Sequence, residues 1–162
     1  EAGEVIDAAL AQSGAQRSDF WKIREAVVEA QTYEGGSIKN DVSVPVSRVP
    51  EFIRIANAAV TDLIPGARPV AFGHCGDGNI HYNIAQPIGG DKQAFLDRWS
   101  DVTKTVYDIV IGLGGSFSAE HGVGQLKLPE MSRYKDTLEL ELMRKLKDAL
   151  DPDGIMNPGK ML

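Results

Sequence analysis

Two histidines flank a glycine-rich turn in the segment HCGDGNIHYN at 74–83. The Asp77-Gly78 pair is typical of a two-residue type I′ hairpin turn, because glycine and, next best, aspartate tolerate a positive φ angle. With that turn, His74 lies directly opposite His81, and side chains paired in this way have Cβ atoms roughly 4.5–5.5 Å apart. Two imidazoles at this spacing can share one metal ion if a third ligand arrives from elsewhere. The alternative is an ordinary tight turn whose two histidines only make hydrogen bonds.

The same hairpin orients two further side chains. Asn83 lies two residues beyond His81, so it points from the same face of the strand. In this register Cys75 points from the opposite face, which predicts a core residue rather than a ligand. Because Cys75 is the one cysteine in the sequence, an internal disulfide is excluded.

The third histidine belongs to a second motif, GGSFSAEHGVG at 114–124. Glu120 and His121 are adjacent at the end of a short predicted strand, so their side chains point in different directions. One of them can complete a metal site while the other faces a substrate. The glycines on both sides allow the backbone to come close to a ligand. Taken alone, the motif is also compatible with a loop that has no chemical role.

Together with the C-terminal segment DPDGIMNPGK at 151–160, the two motifs resemble the C-terminal domain of FAD-linked oxidases in the vanillyl-alcohol-oxidase superfamily. That group includes D-lactate dehydrogenases, the FAD subunit of glycolate oxidase and D-2-hydroxyglutarate dehydrogenase. The resemblance extends from WKIRE at 21–25 to the C-terminus. It implies the substrate- and metal-binding portion of an FAD-dependent dehydrogenase that oxidises a D-2-hydroxy acid to the 2-oxo acid.

The resemblance also implies roles for individual residues. A divalent metal, with zinc favoured, would be bound by His74, His81 and Glu120. His121 would be the general base that removes the proton from the substrate's 2-hydroxyl group. The implied substrate contacts are Arg24, Lys39 and Asn83, and the implied flavin contacts are Asn157 and Lys160.

One position departs from the family's pattern. Where the hydroxyglutarate-type members have a threonine one helical turn after the arginine, this chain has Val28. Valine lacks the hydroxyl donor, so D-2-hydroxyglutarate and D-lactate both stay open as substrates.

These residue types suit the oxidation of a hydroxy acid. Two neutral imidazoles and one carboxylate leave a bound ion with a net positive charge and open positions. An imidazole with an ordinary pKa of about 6.5 is well matched to a general base. An arginine guanidinium can pair bidentately with a carboxylate. For Arg24 the competing interpretation is a surface salt bridge with a neighbouring glutamate.

The sequence has no glycine-rich segment shaped like a diphosphate cradle. In the family, a separate N-terminal domain binds the pyrophosphate. We therefore expect a domain or subunit outside this chain to bind most of the FAD, and the chain alone to be inactive. The resemblance implies an electron-transfer flavoprotein, a quinone or a cytochrome as the electron acceptor.

The elements around these motifs are predicted in the order helix, helix, strand, helix, strand, strand, helix, short strand, helix. Helices are predicted over residues 4–12, 19–33, 47–64, 91–111 and 136–150, and strands over 39–46, 68–75, 79–86 and 116–119. The apolar positions expected to be buried are Ile23, Val27 and Ala30 in the second helix, and Leu138, Leu142, Leu146 and Ala149 in the last. The pattern indicates an α+β fold, with a ferredoxin-like antiparallel meander covered by helices and a helical C-terminal segment. By the resemblance, residues 1–115 would be the C-terminal part of a substrate-binding (cap) region, and residues 116–162 would be a C-terminal segment that contacts the flavin.

The composition narrows the class of protein. The 162 residues are 43% hydrophobic and 25% charged, with a formal net charge of −6 and no basic run. Nucleic-acid binding is therefore not expected. The absence of a targeting signal predicts a cytoplasmic location, with peripheral membrane attachment and a homodimer left open. Two other functions compete with the dehydrogenase: a non-catalytic metal-binding or interaction module of the same fold, and a metal-dependent hydrolase.

Overall fold

A computed structural model describes residues 5–74 and 76–162. Its strands are β1 (Ser37–Ser43), β2 (Arg68–Gly73) and β3 (Asn79–Ala85). Its α-helices are α1 (Gly14–Ala30), α2 (Val49–Leu63), α3 (Lys92–Leu96), α4 (Trp99–Gly112), α5 (Leu128–Tyr134) and α6 (Thr137–Leu150). Two short 3₁₀ helices, Gln31–Glu34 and Val46–Arg48, precede β1 and α2.

The three strands form one antiparallel sheet in the order β1-β3-β2. Both outer strands run antiparallel to β3, so β1 and β2 are parallel to each other and α2 connects them. The predicted fourth strand is reduced to a single antiparallel bridge between Ser43 and Ser116 at the outer edge of β1. The α+β class is confirmed, although the strands do not follow one another in chain order.

The hydrophobic core lies on one face of this sheet. Alternate residues of β1 and β3 point into it, among them Ile38, Val42 and Tyr82, which are fully buried. Helices α2 and α4 cover this face with Phe52, Ala56, Val60, Val102, Val106 and Val110. The ring of Phe52 meets that of Tyr82 edge-on, with 5.3 Å between centroids. Because side chains alternate along a strand, the other residues of β1 and β3 point to the opposite face.

The N-terminal helices were predicted incorrectly. Residues 5–12 contain no helix, and residue 4 lies outside the described residues. Helix α1 begins at Gly14 instead, because the Ser13 hydroxyl caps it by accepting a hydrogen bond from the Gln16 backbone N–H at 3.2 Å. Ser18 is therefore inside the helix and not its cap. The segment before Ser13 exposes its apolar side chains, so it lacks the packing that stabilises short helices.

The apolar stripes predicted for the first and last helices do not enter the core. In α1, Ile23 is 69% exposed, Val27 is half-buried and Ala30 is exposed. The prediction for α6 is also wrong, because the residues that pack against the core are Leu140 and Met143. The four α6 residues predicted to be buried are exposed: Leu138, Leu142, Leu146 and Ala149.

Two further elements differ from the prediction. The single helix expected over 91–111 is two helices, α3 and α4, although Asp91 does cap the first by accepting a hydrogen bond from Ala94 N at 2.7 Å. Helix α5 was not foreseen. In the described part of the chain, no helix is both long and apolar enough to cross a membrane.

Candidate metal centre

Six of the predicted site residues lie on or beside the face of the sheet opposite α2 and α4: Lys39, His74, His81, Asn83, Glu120 and His121. In the pairing of β1 with β3, Asp41 lies opposite His81, and Lys39 lies opposite Asn83. The loop with Glu120 and His121 reaches the same face, because Ser116 is hydrogen-bonded to the end of β1. The sheet therefore brings together residues that lie some 40 to 80 positions apart in the sequence.

The hairpin register differs from the predicted one by two residues. Phe72, not His74, lies opposite His81, and Gly73, not Cys75, lies opposite Ile80. His74 instead donates its backbone N–H to Asn79 O at 3.0 Å. An even shift keeps His74 on the same face as His81, so the two rings are diagonal neighbours. Cys75 lies outside the described residues.

The turn chemistry explains this register. The Asp77 carboxylate accepts a hydrogen bond from the Asn79 backbone N–H at 2.9 Å, as in an Asx turn. Gly78 has φ of +73°, and a Cβ built there would lie 2.0 Å from the Val44 carbonyl oxygen. The Gly78 carbonyl also accepts the Val44 N–H at 3.1 Å. The turn is therefore packed against the chain that follows β1, and the strands stop before the predicted two-residue turn.

Glu120 lies between the two hairpin histidines. Its carboxylate oxygens are 3.6 Å from His74 Nδ1 and 3.6 Å from His81 Nε2. Zinc bound tetrahedrally at about 2.0–2.2 Å separates its donor atoms by roughly 3.3–3.5 Å. Glu120 is therefore spaced from each of the two histidines as one zinc donor is from another. Among the described residues, however, the group whose donor atoms all lie within 4.8 Å of one another is a different one. The Asn79 side-chain amide, which is buried, donates a hydrogen bond to Glu120 and fixes its orientation.

A second set of potential donors overlaps the first. One ligand atom each from Asp41, His81 and His121 lies within 4.8 Å of the others. His81 belongs to both sets. The two sets predict different consequences for His121, because a histidine that binds the metal cannot also act as a free base.

Asp41 is buried at the centre of the site and anchors the Glu120-His121 loop. Its Oδ2 accepts hydrogen bonds from the backbone N–H groups of Ala119, Glu120 and His121 at 3.2, 2.9 and 2.8 Å. Burial alone would raise the pKa of this carboxyl group. The N–H donors of His121 and Glu120, with the nearby charges of His121 and Lys127, hold the pKa below its ordinary value. Asp41 is therefore held as a carboxylate.

The His121 side chain is 68% exposed. Its ring stacks on that of His81, with 5.8 Å between centroids and 28° between planes. The other side of the cluster is formed by Phe72, whose ring centroid is 5.2 Å from that of His81. The His81 ring therefore lies between the rings of Phe72 and His121, whereas the His121 ring is largely exposed to solvent.

Two cavities open beside these rings. The smaller has a volume of about 200 Å³, and the larger one of about 850 Å³. Lys39 and His121 line both of them. The smaller cavity is also lined by His81 and Asn83, and the larger by Lys160. The geometry therefore places three of the predicted substrate and flavin residues around the predicted base.

Asn83 is buried and ties the sheet to the end of α1. Its side-chain amide donates a hydrogen bond to Gln31 Oε1 at 2.8 Å, and Gln31 Nε2 donates in turn to the Val27 carbonyl at 3.2 Å. Arg24 lies on the exposed side of α1, where its guanidinium is 5.8 Å from the centre of the Trp21 ring. It lines neither of the two cavities.

The predicted flavin residues follow α6. Asp151 holds this segment by accepting hydrogen bonds from Ile155 N at 3.0 Å and Met156 N at 2.9 Å. Asn157 then takes a positive φ of 49°, and its carbonyl accepts the Lys160 N–H at 3.3 Å. Of this pair, Lys160 reaches the larger cavity. The side chain of Val28 lies outside what the structure describes.

Three residues important to the site were missed in the sequence: Asp41, Asn79 and Gln31. Asp41 could have been found, because it lies two residues after Lys39 on an alternating strand and so shares its face. Asn79 lies two residues before His81 and shares its face for the same reason. No sequence signal indicated Gln31.

The α+β domain thus has a group of histidine and carboxylate side chains that could hold a metal ion on one face of its sheet, with cavities beside it. The whole chain agrees with a known family. Residues 1–161 match the family described as FAD linked oxidases, C-terminal domain. The chain belongs to this family.

Its relatives carry a consistent name. It is 41% identical over 161 residues to the D-2-hydroxyglutarate dehydrogenase of Stutzerimonas stutzeri, covering 99% of this chain and 34% of the relative. It is 38% identical to the enzyme of the same name from Xanthomonas citri pv. viticola, again covering 99% and 34%. The mitochondrial D-2-hydroxyglutarate dehydrogenase of Arabidopsis thaliana is 38% identical, covering 100% of this chain and 28% of the relative. The chain thus spans about a third of the length of the curated relatives it matches.

Proposed function

We propose that this chain supplies the substrate- and metal-binding portion of an FAD-dependent dehydrogenase that oxidises a D-2-hydroxy acid to the 2-oxo acid. The observation that carries the proposal is that the side chains of Glu120 and His121 point in different directions. Glu120 turns toward His74 and His81 at 3.6 Å, while the adjacent His121 lines both cavities. A metal donor and an exposed imidazole therefore lie one residue apart on a fixed loop.

The proposed ligands of the divalent metal, with zinc favoured, are His74, His81 and Glu120. When bound, such an ion supplies Lewis-acid stabilisation of negative charge on the substrate's hydroxyl oxygen, and FAD supplies the acceptor for the two electrons removed from C2. The description of the family, FAD linked oxidases, supports FAD. Most of the FAD would be bound by a domain or subunit outside this chain.

His121 is the proposed general base. Its Nδ1 lies 3.8 Å from Asp41 Oδ2, so a carboxylate adjoins the ring that would take up the proton. Its exposed position allows the proton to pass on to solvent. Accepting the proton of the 2-hydroxyl group would be the step that this residue performs.

Lys39 and Asn83 are the proposed substrate-binding residues on the sheet. They lie opposite each other on β1 and β3 and line the smaller cavity together with His121. The Lys39 ammonium group would pair with a carboxylate of the hydroxy acid, and the Asn83 amide would donate or accept hydrogen bonds. For Arg24 the proposal rests on the resemblance alone, since this residue lines neither cavity.

The C-terminal segment 116–162 is proposed to contact the flavin through Asn157 and Lys160, whereas residues 1–115 belong to the substrate-binding region. Lys160 supports a place for this segment beside the proposed base, because it lines the same cavity as His121. The D-2-hydroxyglutarate dehydrogenase relatives favour a dicarboxylic hydroxy acid. The electron acceptor would be an electron-transfer flavoprotein, a quinone or a cytochrome.

A chimera tests the proposal. The region of the Stutzerimonas stutzeri enzyme that aligns with this chain is replaced by it, and reduction of a dye acceptor is measured with D-2-hydroxyglutarate and D-lactate. We expect activity, and we expect His121→Ala to lower kcat by about 10²–10⁴-fold, the usual contribution of a general base. Ile88→Ala, at a residue 86% exposed and outside both cavities, is the matched control. A folded, FAD-loaded chimera that is inactive would support the non-catalytic module instead.

A further inference from the structure

We propose that Asp41 is a positioning residue that sets two parts of the site at once: the backbone of the Glu120-His121 loop and the tautomer of the His81 ring. The inference concerns the metal site of the proposed function and rests on that assignment for its effect on metal affinity. Its effect on the His81 ring can be measured without metal or activity.

The first part of the argument is the loop. Three consecutive backbone N–H groups, from Ala119 to His121, converge on Asp41 Oδ2 at 2.8–3.2 Å. Such a concave row of N–H groups binds an anion, and bonds to a charged acceptor are about twice as strong as neutral ones. Asp41 lies in β1, which is paired with β3 along its whole length. The carboxylate therefore holds the loop that contains Glu120, the proposed metal ligand, and His121, the proposed base, at a fixed place relative to the sheet.

The second part is the other carboxylate oxygen. Asp41 Oδ1 is buried and makes no hydrogen bond to any described residue. The polar atom that faces it is His81 Nδ1, at 3.8 Å. A movement of less than about 1 Å would bring these atoms to hydrogen-bond length. A buried negative charge at this position favours the tautomer of the neutral ring with the proton on Nδ1.

The consequence concerns the opposite side of the ring. With the proton on Nδ1, His81 Nε2 keeps its lone pair, and Nε2 is the atom 3.6 Å from Glu120 Oε2. A histidine ligand binds metal through its unprotonated nitrogen and commonly donates its other N–H to a carboxylate. The tautomer that Asp41 favours is thus the one able to bind the ion beside Glu120.

Asp41→Asn separates these effects. The amide oxygen can still accept from the three N–H groups, so the loop keeps its anchor. The NH₂ group then faces His81 Nδ1 as a donor, which favours the tautomer with the proton on Nε2. Asp62→Asn, at an exposed residue of α2, removes the same charge far from these contacts and is the matched control.

The experiment is two-bond ¹H–¹⁵N correlation spectroscopy of the histidine rings in the metal-free chain. It is run at about pH 8.5, two units above the pKa of a free imidazole. We expect His81 to carry its proton on Nδ1 in the wild type and in Asp62→Asn, and on Nε2 in Asp41→Asn. In zinc titrations the Asp41→Asn affinity should fall by about 10–100-fold, as for other lost partners of metal ligands.

Either of two results overturns the inference: a wild-type His81 ring with its proton on Nε2, or a folded Asp41→Asn variant with the wild-type tautomer and zinc affinity. The wild-type spectrum decides even if the variant does not fold. A tautomer switch in a chain that takes up no zinc supports the positioning role of Asp41 and counts against the proposed metal site, so the two failures are distinguishable.

Discussion

Removing the His74 imidazole should weaken zinc binding far more than removing the His121 imidazole, although both residues lie near His81. By the resemblance His74 is a ligand together with His81 and Glu120, and the Glu120 carboxylate lies 3.6 Å from each of the two histidines. His121 belongs to the overlapping set with Asp41 and His81, within 4.8 Å. In that second set Asp41 Oδ2 already accepts three backbone N–H groups, so only Oδ1 of this carboxylate is open to an ion.

The size of the effect follows from the number of ligands. Four-ligand zinc sites bind with an apparent 10–16 kcal/mol, which is about 2.5–4 kcal/mol per protein ligand. Loss of His74 should therefore weaken zinc binding by about 10²–10³-fold. His121→Ala should change it by no more than about twofold, which corresponds to the roughly 0.5 kcal/mol typical of surface substitutions.

Competition with a chromophoric chelator measures these affinities in the wild type, His74→Ala and His121→Ala, with His81→Ala as the variant that both sets predict to fail. Far-UV circular dichroism confirms that each variant is folded. Loss of zinc in His121→Ala with retention in His74→Ala would reverse the assignment, and His121 would then be a ligand instead of a free base. Equal losses in both variants would also contradict the reasoning.

The remaining predictions concern stability. Phe52→Ala should lower the free energy of unfolding by about 3–5 kcal/mol in urea titrations, because Phe52 is fully buried, whereas Ile88→Ala should change it by less than about 0.5 kcal/mol. Gly78→Ala should lower the free energy of unfolding clearly more than Gly89→Ala in the same titrations. Both glycines have a positive φ, which destabilises an alanine by about 1–2 kcal/mol. A Cβ at Gly78 would in addition lie 2.0 Å from a carbonyl oxygen, whereas a Cβ at Gly89 would meet open space. The pKa of Asp41 is lowered in the folded chain, so its ionised form stabilises the fold above its unfolded pKa of about 3.9, and that contribution is lost as the pH falls through the folded pKa. The difference in melting temperature between wild type and Asp41→Asn should therefore shrink between pH 6 and pH 3, and a difference that grows on acidification would contradict the role of the carboxylate.

The sequence predicted which segments meet but not how they align. The order of strands and helices was sufficient for the α+β class, and the motifs were sufficient to bring His81 close to Glu120 and His121. The register was wrong by two residues because it depends on Gly78, whose contact with Val44 is a tertiary contact. A hairpin turn read from local preferences contains no information about what the turn packs against.

Helical periodicity had a similar limit. It located an apolar stripe in α6 but could not show that Leu140 and Met143 face the core while Leu142 and Leu146 stay exposed. Periodicity reports that a face is apolar, and packing decides which face is covered. Asp41 was missed for a related reason: its importance arises from the pairing of β1 with β3, which places it opposite His81.

The attachment of α1 divides the domain into two parts that can change separately. Wherever its burial is described, α1 is exposed or half-buried, and it reaches the sheet through the hydrogen bond between Gln31 and Asn83. The proposed metal ligands and base are built on the sheet and its loop, whereas Arg24 and Val28 belong to this helix. Under the proposed function, changes in this one peripheral helix would alter which hydroxy acid is accepted, while the proposed ligands and base on the sheet stay under independent selection. Homologues with different substrates should differ along α1 before they differ along β1 and β3.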